Sequence, residues 1–245
     1  MVLETRLVDA HRVGPPFAVG VLAVLGTLPV ITTLEPLAGV PRWLLVVAVI
    51  AVGVVGVGAA ATLGATLAVD VGLRAFAPDR LPGEGIGAYR LPVGIGVGVA
   101  LATIGVHAVG SAMGVGVGPI NRWMGDGSLG VLASVAGGIV TELVFRYGVM
   151  TLVVWTAWTY RPAIDAGVTR ASVWTGILAA AALAGCVAVP GMIVDGAGPA
   201  VVALAVVVPI GGSVVFGLLY WRYDLAAAVV AHGVASFLRA VIAGL

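Results

Sequence analysis

Apolar runs about 20 residues long, set off by short clusters of charge or proline, recur along the entire chain. A helical rise of about 1.5 Å per residue makes such a run just long enough to cross a hydrocarbon core about 30 Å thick. The pattern predicts seven spans, at about residues 17–34, 43–69, 91–118, 129–158, 171–189, 199–221 and 225–245. The fold class is therefore all-α, a polytopic transmembrane helical bundle. Residues 1–16 read as a cytoplasmic N-terminal segment and 17–245 as a single transmembrane domain. Pro209 with the paired Gly211 and Gly212 predicts a kink in the sixth span or its division into two half-helices. The first span is no cleaved signal peptide, because its apolar part is long and no small-residue cleavage site follows before Glu35.

Composition sharpens this picture. Hydrophobic residues make up 61% of the chain and charged residues 9%, with a mean hydropathy of +1.17, which excludes an ordinary soluble domain. The lipid bilayer is thus one partner, while a net charge of +1 without a basic patch argues against nucleic acid as another. The single cysteine, Cys186, excludes an intramolecular disulfide and a cysteine-based metal cluster. The 37 glycines lie among Val, Ala and Leu and read as helix-packing residues. In the third span Gly94 and Gly98, then Gly110, Gly114 and Gly118, recur at four-residue intervals and predict flat strips where a neighbour approaches. The Gly-x-Gly run there is no nucleotide loop, since no strand precedes it.

Arginine placement sets the orientation. Arg6, Arg12, Arg74, Arg80, Arg90, Arg161, Arg170 and Arg222 fall on one side, against Arg42 and Arg122 on the other, with Arg239 near the end of the last span. The positive-inside rule then places the protein in the cell membrane with its N-terminus cytoplasmic and its C-terminus outside. The connection from 70 to 90, with Pro78, Pro82 and its glycines, reads as an irregular loop. No internal repeat supports an inverted-repeat transporter.

Ionisable groups near the bilayer centre cost about 2.5–3.5 kcal/mol each, so each calls for a partner or a purpose. Glu142 and Arg146 lie in the fourth span, His107 in the third and His232 in the seventh. Counting helical rise from the cytoplasmic ends puts them at depths of about 24, 18, 24 and 10–15 Å, so all four could meet in one layer. Glu142 and Arg146 are four apart and stack on one helix face. They read either as a neutral brace or as a base held ionised by its guanidinium and turned toward a water pocket. A lone intramembrane imidazole such as His107 is more often a hydrogen-bonded packing residue.

Residues 138–148, Gly-Ile-Val-Thr-Glu-Leu-Val-Phe-Arg-Tyr-Gly, and residues 215–236, with an aromatic turn before a small-residue helix carrying His232 and Ser236, resemble two ordered motifs of the CPBP intramembrane proteases. That family includes the type II CAAX prenyl endopeptidases. The resemblance covers about residues 129–240. Glu142, Phe145 and Arg146 match the family's Glu-Glu-x-x-x-Arg helix and His232 matches its His-x-x-x-Asn. Thr141 replaces the first Glu, Ser236 stands where Asn is common, and the best match to the middle Phe-x-x-x-His, 184–188, has neither aromatic nor histidine, ending on Ala188.

The resemblance implies a divergent endopeptidase that hydrolyses peptide bonds of membrane-associated substrates, a membrane protein or a lipidated peptide. It assigns Glu142 as base or base-orienting group, Arg146 as its partner, His232 as proton donor or oxyanion stabiliser and Ser236 as its assistant. His107 is the one other imidazole that could replace the missing one. No cofactor is expected, and the donors are few for a metal, which usually takes at least three protein ligands. A catalytically inactive scaffold on the same frame and a small-solute transporter are the competing readings.

Overall fold

The computed structural model of the protein describes residues 10–28, 40–113, 127–160, 167–187 and 198–243, and these are helical throughout with short connections. In chain order the helices are α1 (Ala10–Gly26), α2 (Arg42–Leu67), α3 (Arg90–Ala112), α4 (Gly127–Glu142), a π-helical stretch (Leu143–Met150) that runs on into α5 (Thr151–Thr159), α6 (Arg170–Cys186), α7 (Pro199–Arg222) and α8 (Leu225–Ala243). Counting α4 through α5 as one rod, they match the seven predicted spans in order. Five rods are long and apolar enough to cross a membrane, while α1 and α6 have 17 residues each. Large apolar side chains such as Leu22, Val52, Val55 and Leu101 stand exposed on the outside of this bundle, as lipid-facing positions do. The chain is a multi-pass membrane protein. Helix α1 starts at Ala10, within the segment expected to precede the first span, and carries Pro15 and Pro16 in its interior.

The interior is closed by small residues. α8 packs between α3 and α4 and presents Ala227, Ala228, Ala231 and Ala235, all buried at three- and four-residue spacing. Of the expected glycine strip Gly110 is buried, but its first two members are not the contact. A side chain at Gly94 or Gly98 would meet nothing, whereas one at Gly96 would run into the Ala231 carbonyl and Val234 of α8. Recurrence alone carried the expectation of Gly94 and Gly98, but two residues of offset move a position to the opposite side of a helix. Gly114 and Gly118 lie outside the described residues. Gly96→Ala should therefore cost about 1–3 kcal/mol through overpacking. Gly94→Ala should leave stability unchanged or raise it by up to about 1 kcal/mol. Thermal unfolding in detergent micelles compares the two, and equal losses would contradict this placement of α8.

Pro209 does not divide the sixth rod. α7 runs unbroken through Pro209, Gly211 and Gly212 to Arg222. Neighbours hold it on the inside, where Gly217 packs on Ile177 and Gly185 of α6 receives Ile210.

The connection between α2 and α3 is built rather than loose. It forms two short 3₁₀ turns, Pro78–Arg80 and Gly85–Tyr89, and places Gly72, Gly83 and Gly85 at positive φ. Asp224, fully buried at the turn between α7 and α8, fastens it. One carboxylate oxygen accepts from the Ala227 amide as the cap of α8, and the other accepts from the Ala77 amide, both at 2.7 Å. The Leu225 and Ala226 amides add bonds to the carbonyls of Arg74 and Ala75. The 70–90 connection and the α7–α8 turn thus lie at the same end of the bundle.

Candidate functional site

Glu142 is the last residue of α4, and the helix widens immediately after it. Thr151 shows the wider winding directly, its amide reaching back five residues to the Arg146 carbonyl, with its hydroxyl on the same oxygen at 3.2 Å. Single wide turns of this kind recur at functional sites. Two small residues let α2 come close at this point. The Tyr147 ring covers Gly64, and Gly148 faces Ala60.

Glu142 and Arg146 are 0% and 1% exposed, so neither reaches solvent. Glu142 Oε2 lies 3.1 Å from Arg146 Nε, and Oε1 lies 2.7 Å from Nδ1 of His232, which is 16% exposed. Arg146 also donates through Nη2 to the Ser213 hydroxyl at 2.6 Å and the Ser213 carbonyl at 2.8 Å. The Phe216 ring stacks on the imidazole with centroids 4.6 Å apart and planes 16° from parallel. Ser213 and Phe216 are three apart on α7, so one face of that helix holds both the guanidinium and the ring. A side chain at Gly138 would come 3.3 Å from His232 Cδ2 and 3.2 Å from Ser236 Oγ, so the bare backbone there makes room for both.

Beside the imidazole is a cavity of about 260 Å³ whose lining includes Gly138, Thr141, His232, Ser236 and Arg239. Glu142 is absent from that lining. The expectation that it faces a water pocket is corrected: the carboxylate touches the imidazole directly, and the imidazole separates it from the cavity. Consecutive helical positions differ by about 100°, so Thr141 takes the cavity face when Glu142 faces the core. The Thr141 hydroxyl donates to the Gly137 carbonyl of its own helix at 2.8 Å.

His107 does not join the layer. It is half-buried on α3 and makes no hydrogen bond to Glu142, Arg146, His232 or Ser236. The packing of α8 between α3 and α4 keeps the two apart. Ala188 lies outside the described residues. Among the described residues no three His, Cys, Asp or Glu side chains come together. Glu142 and His232 bond each other, which leaves one imidazole nitrogen for any ion, so this donor set does not fit a metal.

The arrangement has a definite chemical sense. An ionised carboxylate only accepts, so in this contact the imidazole donates from Nδ1. The chain therefore presents an imidazole, oriented by a buried carboxylate that is also paired with a guanidinium, at the wall of a cavity. Ser213, Phe216 and Arg239 were not identified from the sequence as site residues. Of these, Phe216 lies in the 215–236 motif region, and Arg239 stands three residues after Ser236 and seven after His232 on the same helical face.

No curated protein and no solved structure matches the chain. A family model does, over residues 125–238, and its description is type II CAAX prenyl endopeptidase Rce1-like. The match spans α4 to α8 and so contains Glu142, Arg146, His232 and Ser236. The part of the chain that carries the site, residues 125–238, is thus similar to the Rce1-like type II CAAX prenyl endopeptidases, the group its two motifs resemble.

Proposed function

We propose that the protein is an intramembrane endopeptidase in which His232 activates water for attack on a peptide bond of a membrane-associated substrate. The observation that carries this reading is the 2.7 Å contact between Glu142 and Nδ1 of His232, with the imidazole also lining the cavity. His232 Nε2 takes a proton from water as the oxygen bonds to the scissile carbonyl carbon. The same imidazole then returns the proton to the amide nitrogen as the carbon–nitrogen bond breaks, giving a carboxylic acid and an amine. Glu142 holds the ring and stabilises its charged form, Arg146 holds Glu142, and Ser236, also on the cavity wall, supplies a hydroxyl donor to the developing oxyanion. The end of the bundle with the 70–90 connection is placed in the cytoplasm of a cell-membrane protein, and the C-terminus outside.

The test is reconstitution in proteoliposomes with a lipid-anchored reporter peptide in heavy-oxygen water. The expected result is cleavage with one heavy oxygen in the new carboxyl group. Intact reporter, or product without the label, would overturn the hydrolytic reading.

A catalytically silent scaffold is the second reading, favoured by Thr141, whose hydroxyl bonds its own helix at the position where the family's pair has a carboxylate. The two readings separate with Thr141→Glu, which puts a second carboxylate on the cavity wall. If wild type is silent, hydrolysis gained by Thr141→Glu identifies a degenerate site on an intact frame. If wild type is active, this variant should raise turnover further. A reporter untouched by both proteins leaves the scaffold reading.

A further inference from the structure

Glu142 fixes the His232 ring at a single point. Its oxygen meets Nδ1 at 2.7 Å, and a ring held at one atom of its edge can still pivot about that contact. A second constraint lies on the ring face. The Phe216 ring covers it in a nearly parallel stack, with centroids 4.6 Å apart. Phe216 is 4% exposed, belongs to the main hydrophobic core and is absent from the lining of the cavity. Anything it does for a ligand there passes through the imidazole.

The phenyl ring is itself well seated. Gly212, four residues earlier on α7, leaves room for it, since a side chain there would come 3.9 Å from Phe216 Cε2 and 3.3 Å from Val99 Cγ1. Ser213, three residues earlier, takes the Arg146 guanidinium. One turn of α7 therefore holds both ends of the chain Arg146–Glu142–His232. From α4, a side chain at Gly138 would come 3.3 Å from Cδ2 and 3.5 Å from Cγ of His232, so bare backbone borders the carbon edge of the imidazole. Nδ1, the carbon edge and one face are thus all occupied by the protein.

We infer that Phe216 is a positioning residue, whose ring holds the His232 imidazole in the plane from which it acts on water. The role in turnover rests on the peptidase reading above, whereas the hold on the ring does not. A flat neighbour does two things here. It removes the pivot that one hydrogen bond allows, so the nitrogen not bonded to Glu142 keeps a single aim, and rates depend steeply on such aim. Its negative face also attracts the charge that the imidazole acquires with a proton, the separation being inside the range of about 6 Å for cation–π contacts. A leucine of similar bulk would fill the space without a plane or a quadrupole.

The test compares the full-length protein with Phe216→Leu and Phe216→Tyr, by nuclear magnetic resonance in micelles and by cleavage kinetics in proteoliposomes. The chain has three histidines, so ring-labelled histidine gives few imidazole signals, and the set missing from His232→Gln identifies His232. In the unaltered protein the His232 ring protons should show dipolar contacts to the Phe216 ring, and the Nδ1 proton shared with Glu142 should be sharp. Phe216→Leu should broaden that proton by exchange with water and lower kcat about two- to thirtyfold with KM unchanged. Phe216→Tyr, which keeps the face, should restore most of both. A folded Phe216→Leu protein that retains the sharp proton or full turnover overturns the inference, as does a folded Phe216→Tyr protein no better than the leucine variant. Missing contacts between the two rings in the unaltered protein overturn it without recourse to a variant. The ring contacts and the loss of the Nδ1 proton in Phe216→Leu, without cleavage by any of these proteins, would leave Phe216 as the residue that positions His232 and sink the peptidase reading alone.

Discussion

Replacing His232 with glutamine is expected to lower turnover of a membrane reporter by about 10²–10⁴, the usual contribution of a positioned proton-transfer group. Glutamine is the informative choice because its amide can still donate to Glu142 Oε1, whereas it cannot take a proton from water. Alanine would leave that buried oxygen short of a donor and mix a stability loss of about 1–3 kcal/mol into the result. The drop should fall on kcat with KM little changed, since the role proposed for the imidazole is in the transition state rather than in holding the chain. Cleavage kinetics in proteoliposomes, run beside size-exclusion of the purified variant, separate chemistry from folding. Cleavage that persists in a folded His232→Gln protein would remove this imidazole from the reaction.

The second large effect concerns stability. Glu142 and Arg146 are both buried and paired at 3.1 Å, so removing either leaves a charge stranded in an apolar interior. Arg146→Met or Glu142→Leu alone should cost about 3–5 kcal/mol. The double variant is expected to recover most of that, because well-packed apolar residues often replace a buried pair without loss. It should nevertheless stay inactive, since His232 has lost the carboxylate that orients it. Unfolding midpoints of the three variants in micelles give the comparison. A double variant no more stable than the singles would show that the cost lies in the packing around Ser213 rather than in the pairing of charges.

The bundle was legible in the sequence because a membrane span is a one-dimensional signal. Length, apolarity and bounding charge located the rods to within a few residues where they are described, except that α1 begins at Ala10, seven residues before the expected start. The site was legible only in part. Spacing of four put Glu142 and Arg146 on one face, and the motifs brought in His232 and Ser236. Which face looks into the core depends on where neighbours sit, and periodicity does not say. For this reason Glu142 was expected at the cavity, where Thr141 stands. Depth likewise placed His107 level with Glu142, but depth has no direction around the bundle axis, and α8 lies between them. Ser213 carries no charge and no motif position, and Phe216 lies in the 215–236 motif region with no role assigned to it there, so both emerge as site residues only once α7 is laid against the site. Asp224 did leave a trace, as a capping residue ahead of an apolar run. Its second bond, to Ala77, spans 147 residues of chain and had no local signature.

The wide winding at Leu143–Met150 makes the rod that contains it two pieces with independent phase. The upstream piece aims Glu142 at His232, while the downstream piece aims Thr151 at the Tyr220 hydroxyl, 2.9 Å away. Tightening the stretch to ordinary winding at unchanged length would swing one piece on the order of 100° against the other, so that both contacts could not survive together. Winding in this segment is therefore constrained more strictly than composition. Substitutions there are absorbed by local repacking, whereas a change of winding forces the chain to surrender either its aim at His232 or its seat against α7.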